Sequence, residues 1–165
     1  MLFGHQRRRI SILAGVIVAA LSGCAQLPTV AATGIPPIPP QQARIWVYRD
    51  LQQSAIPEVP QVRLNGVISG VAYQGAAFYR DIRPGHYHVS VDSMVADVNQ
   101  SSDVDLGAGQ EAYVKIQQLD NFNEDEGGPI FATFYARLIP PPTGRAEIQS
   151  DQFHGGSDLS AAPAS

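Results

Sequence analysis

The sequence predicts an all-β fold, an antiparallel sandwich of about seven or eight strands. Three observations carry this expectation. Apolar and polar residues alternate over short stretches, turn dipeptides separate those stretches, and no stretch has a convincing amphipathic-helix period. At 165 residues there is room for one domain with a proper core.

The folded part is expected over Ala43 to Ile139. ARIWVYR (43–49) sets Ile45 and Val47 on one face and Arg44, Trp46 and Tyr48 on the other, a first strand. Val62 and Leu64 lead into Asn65-Gly66, with Val67, Val71 and Tyr73 beyond. Asn-Gly between apolar arms is the strongest short hairpin signal, because both central residues of a type I′ turn need positive φ. Ala76 to Ile82 is a fourth strand, closed by Arg83-Pro84-Gly85-His86, which has the residue order of a type II turn. After it Tyr87, Val89 and Val91 face inward, and His86, His88, Ser90 and Asp92 outward.

Residues 94–102 carry no pattern and read as a loop. Val104 and Leu106 form a short strand that Gly107 and Gly109 turn back, as a second hairpin, into 111–118, where Ala112, Val114 and Ile116 point inward. LDNFNEDEGG (119–128) reads as an acidic loop. Ile130, Ala132, Phe134, Ala136 and Leu138 mark a last long strand, stopped by Pro140, Pro141 and Pro142. Residues 140–165 read as a Pro-rich exit and a mostly disordered tail, with one short helical turn around Arg145 to Gln149.

The N-terminus has a different character. Arg7, Arg8 and Arg9 precede an apolar run from Ile10 to Leu21, then the small residues Ser22 and Gly23 and then Cys24, the order of an export signal over residues 1–23. A helical run of that length spans roughly 20 Å, short of the ~30 Å hydrocarbon core of a bilayer. Leu-Ser-Gly-Cys resembles the lipobox of bacterial lipoproteins, which implies cleavage between Gly23 and Cys24 and a lipid on the Cys24 thiol. Two or more lipid signals make a lasting anchor, where one acyl chain holds only reversibly. Ala25, in place of the Asp that retains such proteins at the inner membrane, implies the outer membrane. Residues 24–42 are rich in proline and small residues and read as a polyproline-type tether up to about 50 Å long. A spacer and a proline-rich docking ligand both remain open for it.

Loss of the three signal arginines leaves 8 basic against 15 acidic residues, about −7, which disfavours nucleic acid as a partner. Cys24 is the one cysteine, so with its thiol lipidated no thiol is left for a disulfide, redox chemistry or a Cys-based zinc site. No cofactor is implied.

ARIWVYR, VRLNGVISG, FYRDIRPGHYHV and LGAGQEAYVKI, in that order, resemble a family of small bacterial lipoproteins that carry a domain of unknown function. The similarity spans Ala43 to about Ile139, and the Pro-Gly strand entry is similar also to transthyretin-like and carboxypeptidase-regulatory modules. The resemblance implies an immunoglobulin-like or transthyretin-like sandwich. It brings no catalytic residue.

His86 and His88, two apart on a strand, project from one face, where they are either a metal pair with a cross-strand carboxylate or two solvated histidines. Asp120, Asn121, Asn123, Asp125 and Glu126 offer oxygens to calcium, but the spacing lacks the sixth-position glycine of the EF-hand. Trp46, Tyr48 and Tyr113 form either an exposed partner-binding face or a second buried layer. The sequence therefore implies a lipid-anchored, periplasm-facing, non-catalytic binding or scaffolding module. The alternatives are an accessory outer-membrane subunit of a secretion or envelope-assembly machine and a metal-dependent hydrolase.

Overall fold

The computed structural model describes residues 26–52, 54, 56–123 and 127–158. The expected signal, the cleavage site at Gly23 and lipidation at Cys24 lie outside the described residues, as do Asp125 and Glu126 of the acidic loop.

Among the described residues nine strands form two packed sheets in a sandwich-type arrangement. In chain order they are β1 (Ala43–Arg49), β2 (Gln61–Leu64), β3 (Val67–Val71), β4 (Ala76–Ile82), β5 (Gly85–Val91), β6 (Ser102–Leu106), β7 (Glu111–Asn123), β8 (Gly128–Ile139) and β9 (Gln152–Asp158). A 3-10 turn (Val30–Ala32) precedes them, and a short helix α1 (Pro141–Glu147) with a second 3-10 turn (Ile148–Ser150) separates β8 from β9. One sheet runs β8-β7-β1-β4-β9 and the other β3-β2-β5-β6.

The alternation read from the sequence fixes what lies between the sheets. Ile45 and Val47 of β1, Val62 and Leu64 of β2, Val89 and Val91 of β5, and Val114 and Ile116 of β7 are all buried in one core with Phe78 and Phe134. Burial of each such side chain is worth ~1.5–3 kcal/mol. Asn65 (φ 49) and Gly66 (φ 81) make the expected tight turn between β2 and β3.

Pairing departs from the expectation in three places. Arg83-Pro84-Gly85-His86 does not form the expected type II turn. Its flanking strands β4 and β5 belong to different sheets, and Gly85 is nearly extended (φ 158) rather than in the conformation a type II turn requires. The Gly107–Gly109 turn likewise carries the chain from one sheet to the other, where the Gly109 amide donates to the Gln42 carbonyl and the Gln110 carbonyl accepts from the Arg44 amide. That docking sets β7 parallel to β1, so the sandwich is mixed, with β4 and β9 the second parallel pair. The acidic loop is also shorter than expected, because β7 continues to Asn123 before β8 returns antiparallel to it.

The ends of the chain supply a third layer. Val30, Trp46, Tyr48, Ala77, Tyr79, Tyr113 and Ile148 form a second buried cluster on the outer face of the five-stranded sheet, with Ile35, Ile139 and Phe153 against it. β9 pairs along β4, and Thr29 bridges Gln152 on the free side of β9. The fold therefore runs to Asp158, beyond the expected boundary at Ile139, and the expected tether is part of the domain from Pro28 onward.

Candidate functional site

Trp46 and Tyr48, expected as one possible partner-binding face, lie in that second cluster at 3% and 1% exposure. β1 sits in the middle of its sheet, with the core on one side and the terminal segments on the other, so every residue of the strand is buried. The Trp46 ring stacks on Tyr113 at 6.4 Å and meets Tyr79 edge-on at 5.0 Å. Tyr48 donates to Glu147 at 2.6 Å. Burial, then this hydrogen bond, raises the Tyr48 phenol far above its ordinary pKa. The exposed reading of these aromatics is therefore corrected to the covered one.

His86 and His88 project outward as expected, each against a carboxylate of β6. His86 Nδ1 lies 2.9 Å from Asp105 and His88 Nδ1 lies 2.8 Å from Asp103, following the cross-strand register. Asp103 also lies 3.6 Å from His86 Nε2, so the four groups form an exposed chain, Asp105–His86–Asp103–His88, along the two strands. Among the described residues no three His, Cys, Asp or Glu side chains are grouped to hold a metal ion. Of the acidic stretch, the described side chains Asp120 and Asn121 are divided by strand alternation. Asp120 accepts from Ser54 at 2.9 Å, while Asn121 donates to Thr133 at 2.8 Å on the opposite face.

The structure offers another site instead. Where β6 diverges from the β7–β8 pair, a groove of about 680 Å³ opens between the two sheets and α1. Val104, Leu106, Ala112, Leu138, Ile139 and Pro140 give it apolar walls, and Leu138 is 40% exposed there. Its polar corner is built by Glu111, from the outer-facing positions of β7, and Arg145 of α1. Glu111 accepts from Arg145 at 2.7 Å and from Tyr113 at 3.1 Å through one oxygen, and from the Trp46 indole at 3.3 Å through the other. Burial pushes the Glu111 carboxyl up, but these hydrogen bonds outweigh it and hold the group below its usual pKa.

The local sequence explains why α1 closes this corner. Pro141 and Pro142 suit the first turn of a helix, where an amide hydrogen has no intrahelical partner. Gly144 lets the helix settle on Tyr113, because a Cβ there would meet the Tyr113 Cβ at 2.4 Å. Glu111 and Arg145 are 34 residues apart and become neighbours through antiparallel pairing of β7 with β8, which brings Ile139 beside Tyr113 just before α1 begins. The sequence signal that was available is the outward phase of Glu111 and Tyr113 on their strand.

An apolar groove with one fixed, internally neutralised ion pair suits recognition of an apolar segment. No protein family, curated protein or solved structure matches this chain.

Proposed function

We propose that this protein is a lipid-anchored, periplasm-facing binding or scaffolding module of the bacterial outer membrane, holding a protein partner through the groove beside α1. The observation that carries the binding role is the groove itself, whose apolar walls lie open next to the Glu111–Arg145 pair. Among the described residues the groove's Glu111 carboxylate is tied up in three hydrogen bonds, which supports a binding role. Attachment rests on the Leu21-Ser22-Gly23-Cys24 sequence.

The test is crosslinking in living cells from a photoreactive residue placed at Leu138 or Pro141, with Val67 on the far edge of the other sheet as control. A discrete adduct from the groove positions, reduced by Cys24→Ser, is expected. Adducts no more frequent from the groove than from position 67, in correctly anchored protein, would overturn the assignment.

A further inference from the structure

We infer that the β9 edge of the five-stranded sheet, with Leu27 and Tyr73 beside it, lies directly against the bilayer instead of standing off on a tether. The inference rests on the lipid-anchor reading above and deepens it. From Pro28 the chain is pinned to the domain. The Phe153 amide donates to the Pro28 carbonyl at 2.8 Å, the Val30 amide donates to the Asp151 carbonyl at 2.9 Å, and the Val30 side chain is buried. Further along, the Pro36 carbonyl accepts from Arg44 at 2.9 Å and Ile35 packs on the second cluster.

Ala25, Gln26 and Leu27 alone separate Cys24 from that first fixed residue. Even fully extended, the four steps from Cys24 to Pro28 span no more than about 14 Å. A leash of that length cannot carry the domain clear of the headgroups. It must bring the edge from which it leaves down onto the membrane.

That edge has suitable chemistry. Leu27 is 47% exposed, and Tyr73, 46% exposed, meets His154 of β9 at a tilt of 30° with ring centroids 4.8 Å apart. Leu51, 81% exposed, adjoins them through Gly75, whose carbonyl accepts from the Gln152 amide that opens β9. Exposed leucine beside tyrosine is the composition that settles at a lipid–water interface. Nearby charges are mainly acidic, Asp50, Glu147 and Asp151 around Lys115, so attraction to anionic headgroups is not what holds the face there. Contact is set by the short leash and the apolar rim, and is therefore insensitive to salt.

The experiment uses the full lipidated protein in phosphatidylethanolamine–phosphatidylglycerol vesicles containing brominated lipid, with lipidation of Cys24 verified by mass. An environment-sensitive fluorophore is attached at one introduced cysteine at a time. Tyr73→Cys and Ser157→Cys sit at the β9 edge; Val98→Cys and Asp105→Cys sit on the β8 side, about four strand spacings or ~19 Å away. Quenching at 73 and 157 at least threefold above that at 98 and 105, unchanged between low and high salt, is expected. Uniformly weak quenching with Cys24 lipidated overturns the docked orientation and leaves the anchor standing. A Cys24 that carries no lipid overturns both.

Discussion

Arg44 and Asp81, partners in the β1–β4 register, form a two-pronged ion pair out of contact with solvent. Nε lies 2.6 Å from one carboxylate oxygen and Nη2 2.9 Å from the other. The guanidinium also lies 3.9 Å over the Tyr79 ring and donates to the Pro36 carbonyl, so one side chain joins the sheet to the N-terminal segment. Asp81→Ala leaves a buried cation without its counter-charge and is expected to cost about 3–5 kcal/mol in denaturant unfolding. The double variant Arg44→Met, Asp81→Leu should recover most of that loss. A single-variant cost under ~1 kcal/mol would mean that water reaches the pair.

The terminal layer is expected to be required for folding. A chain ending at Ile139 lacks α1, the second 3-10 turn and β9, and leaves Trp46, Tyr48, Tyr79 and Tyr113 uncovered. It is expected to lose sigmoidal thermal unfolding or to aggregate, whereas a chain ending at Asp158 keeps the full-length transition. Equal transitions from the two would contradict the three-layer arrangement.

Gly144→Ala drives a methyl group into Tyr113 and is expected to cost about 1–3 kcal/mol. The protein has one tryptophan, Trp46, stacked on that same tyrosine, so its emission reports the displacement directly. A red shift is expected, together with weaker crosslinking from the groove. Unchanged emission and stability would show that α1 does not seat on Tyr113.

Asp151 gives a pH-dependent term of definite sign. Burial, and then the charge of Asp50, push its carboxyl up to about 6. The native state thus holds this proton more tightly than the unfolded chain, and ionisation removes stability as pH rises from about 4 through 6. Asp151→Asn should therefore stabilise the protein at pH 8 by about 2–3 kcal/mol and make no difference below pH 4. Chemical denaturation at the two pH values checks it, and stabilisation confined to acid would reverse the assignment.

The strands that alternate cleanly were legible in the sequence. β1 and β4 have the bounds expected of them, and His86 and His88 project outward as the period of two requires. Partners were not legible. A period of two says that Ala112, Val114 and Ile116 share a face but not which strand lies alongside, so the parallel β1–β7 pair and the Glu111–Arg145 corner stayed hidden. β9 was missed because QFHGGSD has weak strand propensity. Gly156 serves close approach there, since a Cβ on it would meet the Tyr79 ring at 2.0 Å, and Gly155 takes a positive φ of 102°. Outward-phased aromatics on a central strand posed the same difficulty, because only the terminal segments that cover Trp46 and Tyr48 decide that they are core.

Membrane attachment through Cys24 is the premise of both the binding role and the docked orientation. Mass analysis of the N-terminal peptide, from protein purified out of bacterial membranes, tests it most directly. The predicted result is a chain that begins at Cys24 and carries a diacylglycerol on sulfur and an acyl group on nitrogen. A chain that retains residues before Cys24, or one with an unmodified Cys24 thiol, would contradict it.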